Sequence, residues 1–159
     1  NLTQIAGVMK EGKADVGFVV DPDVDRLAIV CENGEMFVEE YTLVAVADYV
    51  LKHTPGNTVS NLSSSRALRD VTRLYGQQYN ASAVGEVNVV TLMKQTGAVI
   101  GGEGNGGVIY PASHYGRVAF GEREKDCQPV ESHISGLQYS QTENTTYSRY
   151  RCRCLVGCC

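Results

Sequence analysis

Residues 15–20, DVGFVV, form an apolar run of strand length that delivers the chain directly into the polar loop DPDVDR. The next run, LAIV, is followed by ENGE and then MFV, so Asn33-Gly34 marks the turn of a hairpin. From 39 to 53 the period changes. Leu43, Val46, Ala47, Val50 and Leu51 recur at helical spacing behind two acidic first-turn residues, and Pro55-Gly56 stops the helix. The alternation then repeats: TVSNL predicts a strand, and residues 65–75 a helix with Leu68, Val71 and Tyr75 on one face and Gly76 as its stop. QYNASAV predicts a strand, residues 87–95 a helix ending near Gly97, and AVIGGE another strand. Regular alternation of this kind predicts an α/β layer with a largely parallel sheet. Beyond Arg117 the pattern dissolves into a polar stretch with no sustained period, which reads as disordered or aberrant.

The length of 159 residues, with 43% hydrophobic and 20% charged positions, fits one soluble domain and excludes a collagen-like or wholly disordered chain. A net charge of -4 gives no bulk attraction to nucleic acid. No stretch has the roughly 18 consecutive apolar residues of a membrane span, and the opening NLTQIAGVMKEGKAD lacks the plan of a signal peptide. A cytoplasmic protein with no membrane partner is expected. Four of the six cysteines are Cys152, Cys154, Cys158 and Cys159, and C-x-C-x-x-x-C-C is not a common zinc spacing.

Asp21, Asp23 and Asp25 alternate with Pro22 and Val24 at the exit of the first strand, so their carboxylates can converge beyond the sheet edge. Three hard oxygen ligands suit Mg²⁺ and leave positions open for water or a phosphate oxygen, while Arg26 can neutralise phosphate charge. The alternative is a solvated acidic turn. An EF-hand places acids at positions 1, 3, 5 and 12, and Glu32 falls at 12, but Arg26 stands where Gly is required and both flanks read as strands. A strand followed by Asp-x-Asp is also similar to the first motif of haloacid-dehalogenase-type phosphatases, which is retained as the second reading.

GGEGNGG at 101–107 satisfies G-x-G-x-x-G, yet no helix pattern follows and Glu103 would repel a pyrophosphate. Glu103 beside Asn105 can instead accept from and donate to sugar hydroxyls, with glycines letting a ring approach the backbone. The bland alternative is a tight glycine turn between strands.

DPDVDR, NLSSSRAL, AVGEVNVV and GGEGNGGVIYPASHYGR, in that order, closely resemble the α-D-phosphohexomutases over residues 1–117. The resemblance implies an α/β fragment of a multi-domain enzyme, a mixed sheet with flanking helices. Residues 1–36 would be the end of the second domain with the metal loop, 37–117 most of the third with the sugar loop, and 118–159 an aberrant tail. It implies Mg²⁺-dependent transfer of a phosphoryl group within a hexose phosphate, with Asp21, Asp23 and Asp25 as metal ligands and Arg26 as a catalytic phosphate contact. Glu103 and Asn105 would bind ring hydroxyls, and Arg66, His114 and Arg117 would further line the substrate site. Some branches carry His where Glu86 stands; the simpler role for Glu86 is a carboxylate at a helix start. The family's serine loop, which reads like TASHNP, and its fourth domain are not in this sequence, so the chain alone is expected to be inactive, at most a metal- and sugar-binding remnant. Written in one choice of codons and read one base out of frame, NTTYSRYRCRCL gives a family-like IQLTPDIDVDA, so the tail is expected to be an out-of-frame product. Half of a second domain is expected to leave the 15–20 strand with open, aggregation-prone edges.

Overall fold

The computed structural model describes residues 2–22, 25–118 and 154–158. The unbroken apolar run is explained by burial on both faces: all five residues of β1, Val16–Val20, are buried. On one face Val16, Phe18 and Val20 join Leu27 and Ile29 of β2, Leu27–Cys31, in a core shared with α2, Glu39–His53. On the other, Val19 and Val30 pack against Ile5 and Met9 of α1, Leu2–Lys10. The sequence reading assigns no element to α1. It is short, nine residues against the fifteen of α2, although Leu2, Ile5 and Met9 have helical spacing.

β1 and β2 are antiparallel, and β2 continues across the Asn33-Gly34 turn into the short β3, Met36–Phe37, as the pattern predicts. β4, Thr58–Asn61, is central in the second sheet and parallel to both β5, Tyr79–Ser82, and β6, Ile100–Glu103. Helices α3, Ala67–Leu74, and α4, Glu86–Thr96, supply the crossovers between these strands, within two residues of their expected limits. α4 ends at Gly97, which takes the left-handed conformation at φ 62°. β7, Gly107–Ile109, and β8, Arg117–Val118, then add antiparallel.

The expected largely parallel layer is therefore corrected to two mixed sheets. The glycine loop is too short for a crossover, so the chain after β6 can only fold back. The expected open edge of β1 is also corrected. A strand within the tail, β9, Cys154–Cys158, lies parallel to β1 along its length. The expectation of a disordered or aberrant tail otherwise falls on residues outside the described ones.

Val59, Val89, Met93 and Ile109 form the core beneath α4, while Leu68, Ile100 and Val108 share with α2 the core that also receives β1 and β2. One apolar cluster thus joins both sheets and fixes the loop after β1 against the loop after β6. No helix among the described residues is long and apolar enough to cross a membrane.

The end of α3 is tied to α2 by the Tyr75 hydroxyl, which donates to Asp48 Oδ1 at 2.7 Å. Burial, then this bond and the Asp48 charge, push the phenol up to about 12. A raised folded pKa contributes stability that is complete below the ordinary value of 10 and is lost as pH rises through 12. Urea midpoints measured from pH 9 to 12 should therefore fall more steeply for the wild type than for Tyr75→Phe. Parallel curves would show that the bond contributes nothing.

Candidate functional site

The three parallel strands β5, β4 and β6 end on Ser82, Asn61 and Glu103, all polar and all buried. From β4 the chain passes first to β5 on one side and then to β6 on the other, leaving a crevice beyond the carboxyl ends of β4 and β6. Asn61 and Glu103 meet there, with Asn61 Nδ2 donating to Glu103 Oε1 at 2.7 Å. The hydroxyls of Ser63 and Ser64 donate to Asn61 Oδ1 at 3.0 and 2.7 Å, which fixes the direction of the amide. The Gly85 N–H gives a second bond to Glu103 Oε1 at 3.2 Å. Sequence reasoning missed Asn61, Ser63, Ser64 and Gly85; the available signal was the polar residue closing each apolar strand.

The glycine loop is a tight turn between β6 and β7, so the bland reading of its backbone is right, and it still presents chemistry. Asn105 is exposed, with Oδ1 accepting the Gly107 N–H at 3.2 Å. Gly106 has φ 83°, and a Cβ on it would lie 2.6 Å from the Leu27 carbonyl oxygen. Its own carbonyl accepts the Leu27 N–H at 3.3 Å. The turn therefore lies directly on the residue that follows DPDVDR.

In that loop Asp21 Oδ1 accepts the N–H groups of Asp25 and Arg26 at 3.1 and 3.3 Å, and Oδ2 accepts Arg26 Nε at 2.8 Å. Burial pushes the Asp21 carboxyl up, but the Arg26 side-chain bond and these backbone bonds outweigh it and hold the group below its ordinary value. Hydrogen bonding and charge from Asp21 hold the Arg26 guanidinium above its own. Asp25 Oδ1 lies 3.7 Å from the same Nε. Two aspartates thus converge on one point that carries a positive nitrogen, and their hard oxygens fit a dication. Asp23 lies outside the described residues, and among the described residues no three His, Cys, Asp or Glu side chains are gathered as metal ligands. The loop joins two antiparallel strands, which agrees with the rejection of an EF-hand.

Arg117 closes the arrangement from β8. Its Nη2 lies 2.6 Å from Asp25 Oδ2, its Nε 3.2 Å from Glu86 Oε2 and its Nη1 3.4 Å from Glu103 Oε2. The Arg117 N–H donates to Glu86 Oε1 at 3.2 Å. Glu86 is the first residue of α4, as the simple reading has it, and it also holds Arg117. Asp21, Arg26 and Asn105 line one cavity of about 180 Å³ with Leu27 and Glu39. Of the residues singled out from sequence, Asp21, Arg26 and Asn105 line this cavity, and Arg117 ties Asp25 of the aspartate loop to Glu103 of the glycine loop. Arg66, exposed at the start of α3, and His114, exposed between β7 and β8, are not joined to these. A wider cleft of about 330 Å³ beside Arg69, Arg73 and Tyr79 lies at the start of β5, the opposite end of the sheet.

A family model described as phosphoglucomutase/phosphomannomutase, alpha/beta/alpha domain III, matches residues 39–124, continuing past Arg117, where the sequence reading ends the resemblance. The probable phosphoglucosamine mutase of Pyrococcus abyssi is 37% identical over 112 residues, 70% of this chain and 25% of that protein. The phosphoglucosamine mutase of Sulfurovum sp. is 35% identical over 148 residues, 91% of this chain and 31% of that protein, an alignment that reaches into the tail. The crystal structure of a phosphoglucomutase/phosphomannomutase family protein from Burkholderia thailandensis shares the fold, with a TM-score of 0.69 at 23% identity over 92% of this chain and 32% of that one. The chain spans about a quarter of the length of the Pyrococcus relative. With a family model over more than half of its residues, and with the loops DPDVDR and GGEGNGG on one hollow, this chain belongs to the phosphoglucomutase/phosphomannomutase family.

Proposed function

We propose that this chain carries the cation-binding and sugar-binding walls of an enzyme that moves a phosphoryl group within a hexose phosphate. The observation that carries the reading is Arg117, which touches Asp25 of one loop and Glu103 of the other. Asp21, Asp23 and Asp25 would hold Mg²⁺, which when bound supplies charge neutralisation to the phosphoryl oxygens. Arg26, whose side chain is half exposed at 53%, is free to swing from Asp21 towards a phosphate. Glu103 offers an acceptor held in place by Asn61 and Gly85, and the exposed Asn105 offers an amide N–H, so adjacent ring hydroxyls can be gripped in opposite senses.

Phosphoryl transfer depends on positioning from several sides, and the groups described supply one side of it. The chain by itself is therefore expected to bind glucose 1-phosphate weakly in the presence of Mg²⁺ and to turn nothing over. The test is an assay of the 159-residue chain with glucose 1-phosphate, a sugar bisphosphate activator and Mg²⁺, alongside calorimetric titration. Mutase turnover would overturn the expected inactivity. Release of inorganic phosphate would favour the phosphatase reading, and the absence of Mg²⁺-dependent binding would remove the site assignment.

A further inference from the structure

We infer that Arg117, held in place by Glu86, is a positioning residue that sets the cation affinity of the carboxylate loop. This rests on the cation-site reading above. Arg117 Nη2 stands 2.6 Å from Asp25 Oδ2 and so occupies an oxygen that a cation at the loop would use. The guanidinium is not settled on one partner: it is spread over Asp25, Glu86 and Glu103 at 2.6, 3.2 and 3.4 Å, with no two-bond fork to any of them. Its Nε is buried and, although 3.2 Å from Glu86 Oε2, has no hydrogen bond. A buried donor without an acceptor is costly, so the side chain has an incentive to turn towards Glu86 once Asp25 releases it.

Asp25 would release Arg117 on binding a dication, which would take the place of the guanidinium as counter-charge. Glu86 and Glu103 remain to receive it. Arg117 is then a competitor for Asp25, and Glu86 is the group that weakens the competition by drawing Arg117 towards α4. The two residues touch each other, and their removal is expected to shift cation affinity in opposite directions.

The experiment is a Mn²⁺ titration of the full chain at low ionic strength, followed by the electron paramagnetic resonance of free Mn²⁺. Arg117→Gln is expected to tighten Mn²⁺ binding about 3- to 10-fold and Glu86→Gln to weaken it by a similar factor, the size expected of one partly screened charge at this distance. Arg117→Lys keeps the charge but loses the planar group that reaches Asp25, Glu86 and Glu103 together, so its Mn²⁺ affinity should fall between wild type and Arg117→Gln. Circular dichroism reports whether each variant is folded; should Arg117→Gln fail to fold, Glu86→Gln and Arg117→Lys carry the same test. Changes of the same sign in Arg117→Gln and Glu86→Gln, or no change in Glu86→Gln, would overturn the inference while leaving the cation site intact. No Mn²⁺ binding by the wild type would overturn the cation site itself, and the inference with it.

Discussion

Glu103→Ala is expected to destabilise the chain by about 2–4 kcal/mol and to abolish binding of glucose 1-phosphate. The Glu103 side chain is 9% exposed and satisfies three donors at once, the Asn61 amide, the Gly85 N–H and Arg117. Removing it leaves a half-buried guanidinium short of one carboxylate and an oriented amide without an acceptor, and the desolvation of both is then uncompensated. The cost is set at the lower end of buried-pair values because Arg117 keeps Asp25 and Glu86. Glu103→Gln retains an oxygen for Asn61 and Gly85 but turns an N–H towards Arg117, so its loss should be smaller. Urea unfolding of the three proteins measures the first effect and calorimetric titration with glucose 1-phosphate the second. An alanine variant within about 0.5 kcal/mol of wild type would show that the network contributes no stability.

A comparable effect is expected from one methyl group at Gly106. Gly106→Ala places a Cβ where φ is 83° and where the Leu27 carbonyl oxygen would lie 2.6 Å away. The backbone strain and the contact together cost about 2–3 kcal/mol, and both are relieved only by moving the glycine loop away from β2. That movement opens the hollow at its floor. The variant should therefore lose Mg²⁺-dependent sugar phosphate binding although it alters no polar side chain. Gly76→Ala is the control for positive φ alone, since Gly76 has φ 69° with nothing within 4 Å of the added carbon. If both variants bind as the wild type does, contact between the two loops is not required for the site.

Local signals made much of the fold legible. α2 runs over the residues that its fifteen-position periodicity and acidic start predict, and the strands before and after DPDVDR are where their apolar runs place them. Both candidate loops stand out in the sequence because their chemistry is contiguous, carboxylates in one and a carboxylate with an amide in the other. What was not legible depends on distant partners. Asn61 finds Glu103 across 42 positions and Arg117 finds Glu86 across 31, and neither pairing leaves a periodic trace. The direction of β7 was hidden for a related reason. A strand after a strand becomes parallel only if the connection can cross over, and three residues of turn cannot. β9 was missed because Leu155 and Val156 are two apolar residues in a polar tail, too few to announce a strand without its neighbour β1.

The aspartate loop and the glycine loop meet at one hollow, where Asp21 and Arg26 lie beside Asn105, and the proposed cation site must lie within reach of both. The most direct measurement is paramagnetic broadening of the backbone amide resonances of the ¹⁵N-labelled chain by substoichiometric Mn²⁺. Selective loss of signal is expected from Asp21, Asp25, Arg26, Gly104, Asn105 and Arg117, with Arg73 and Gly76 at the far end of the sheet unaffected. Broadening confined to the aspartate loop, with the glycine loop and Arg117 unchanged, would contradict it.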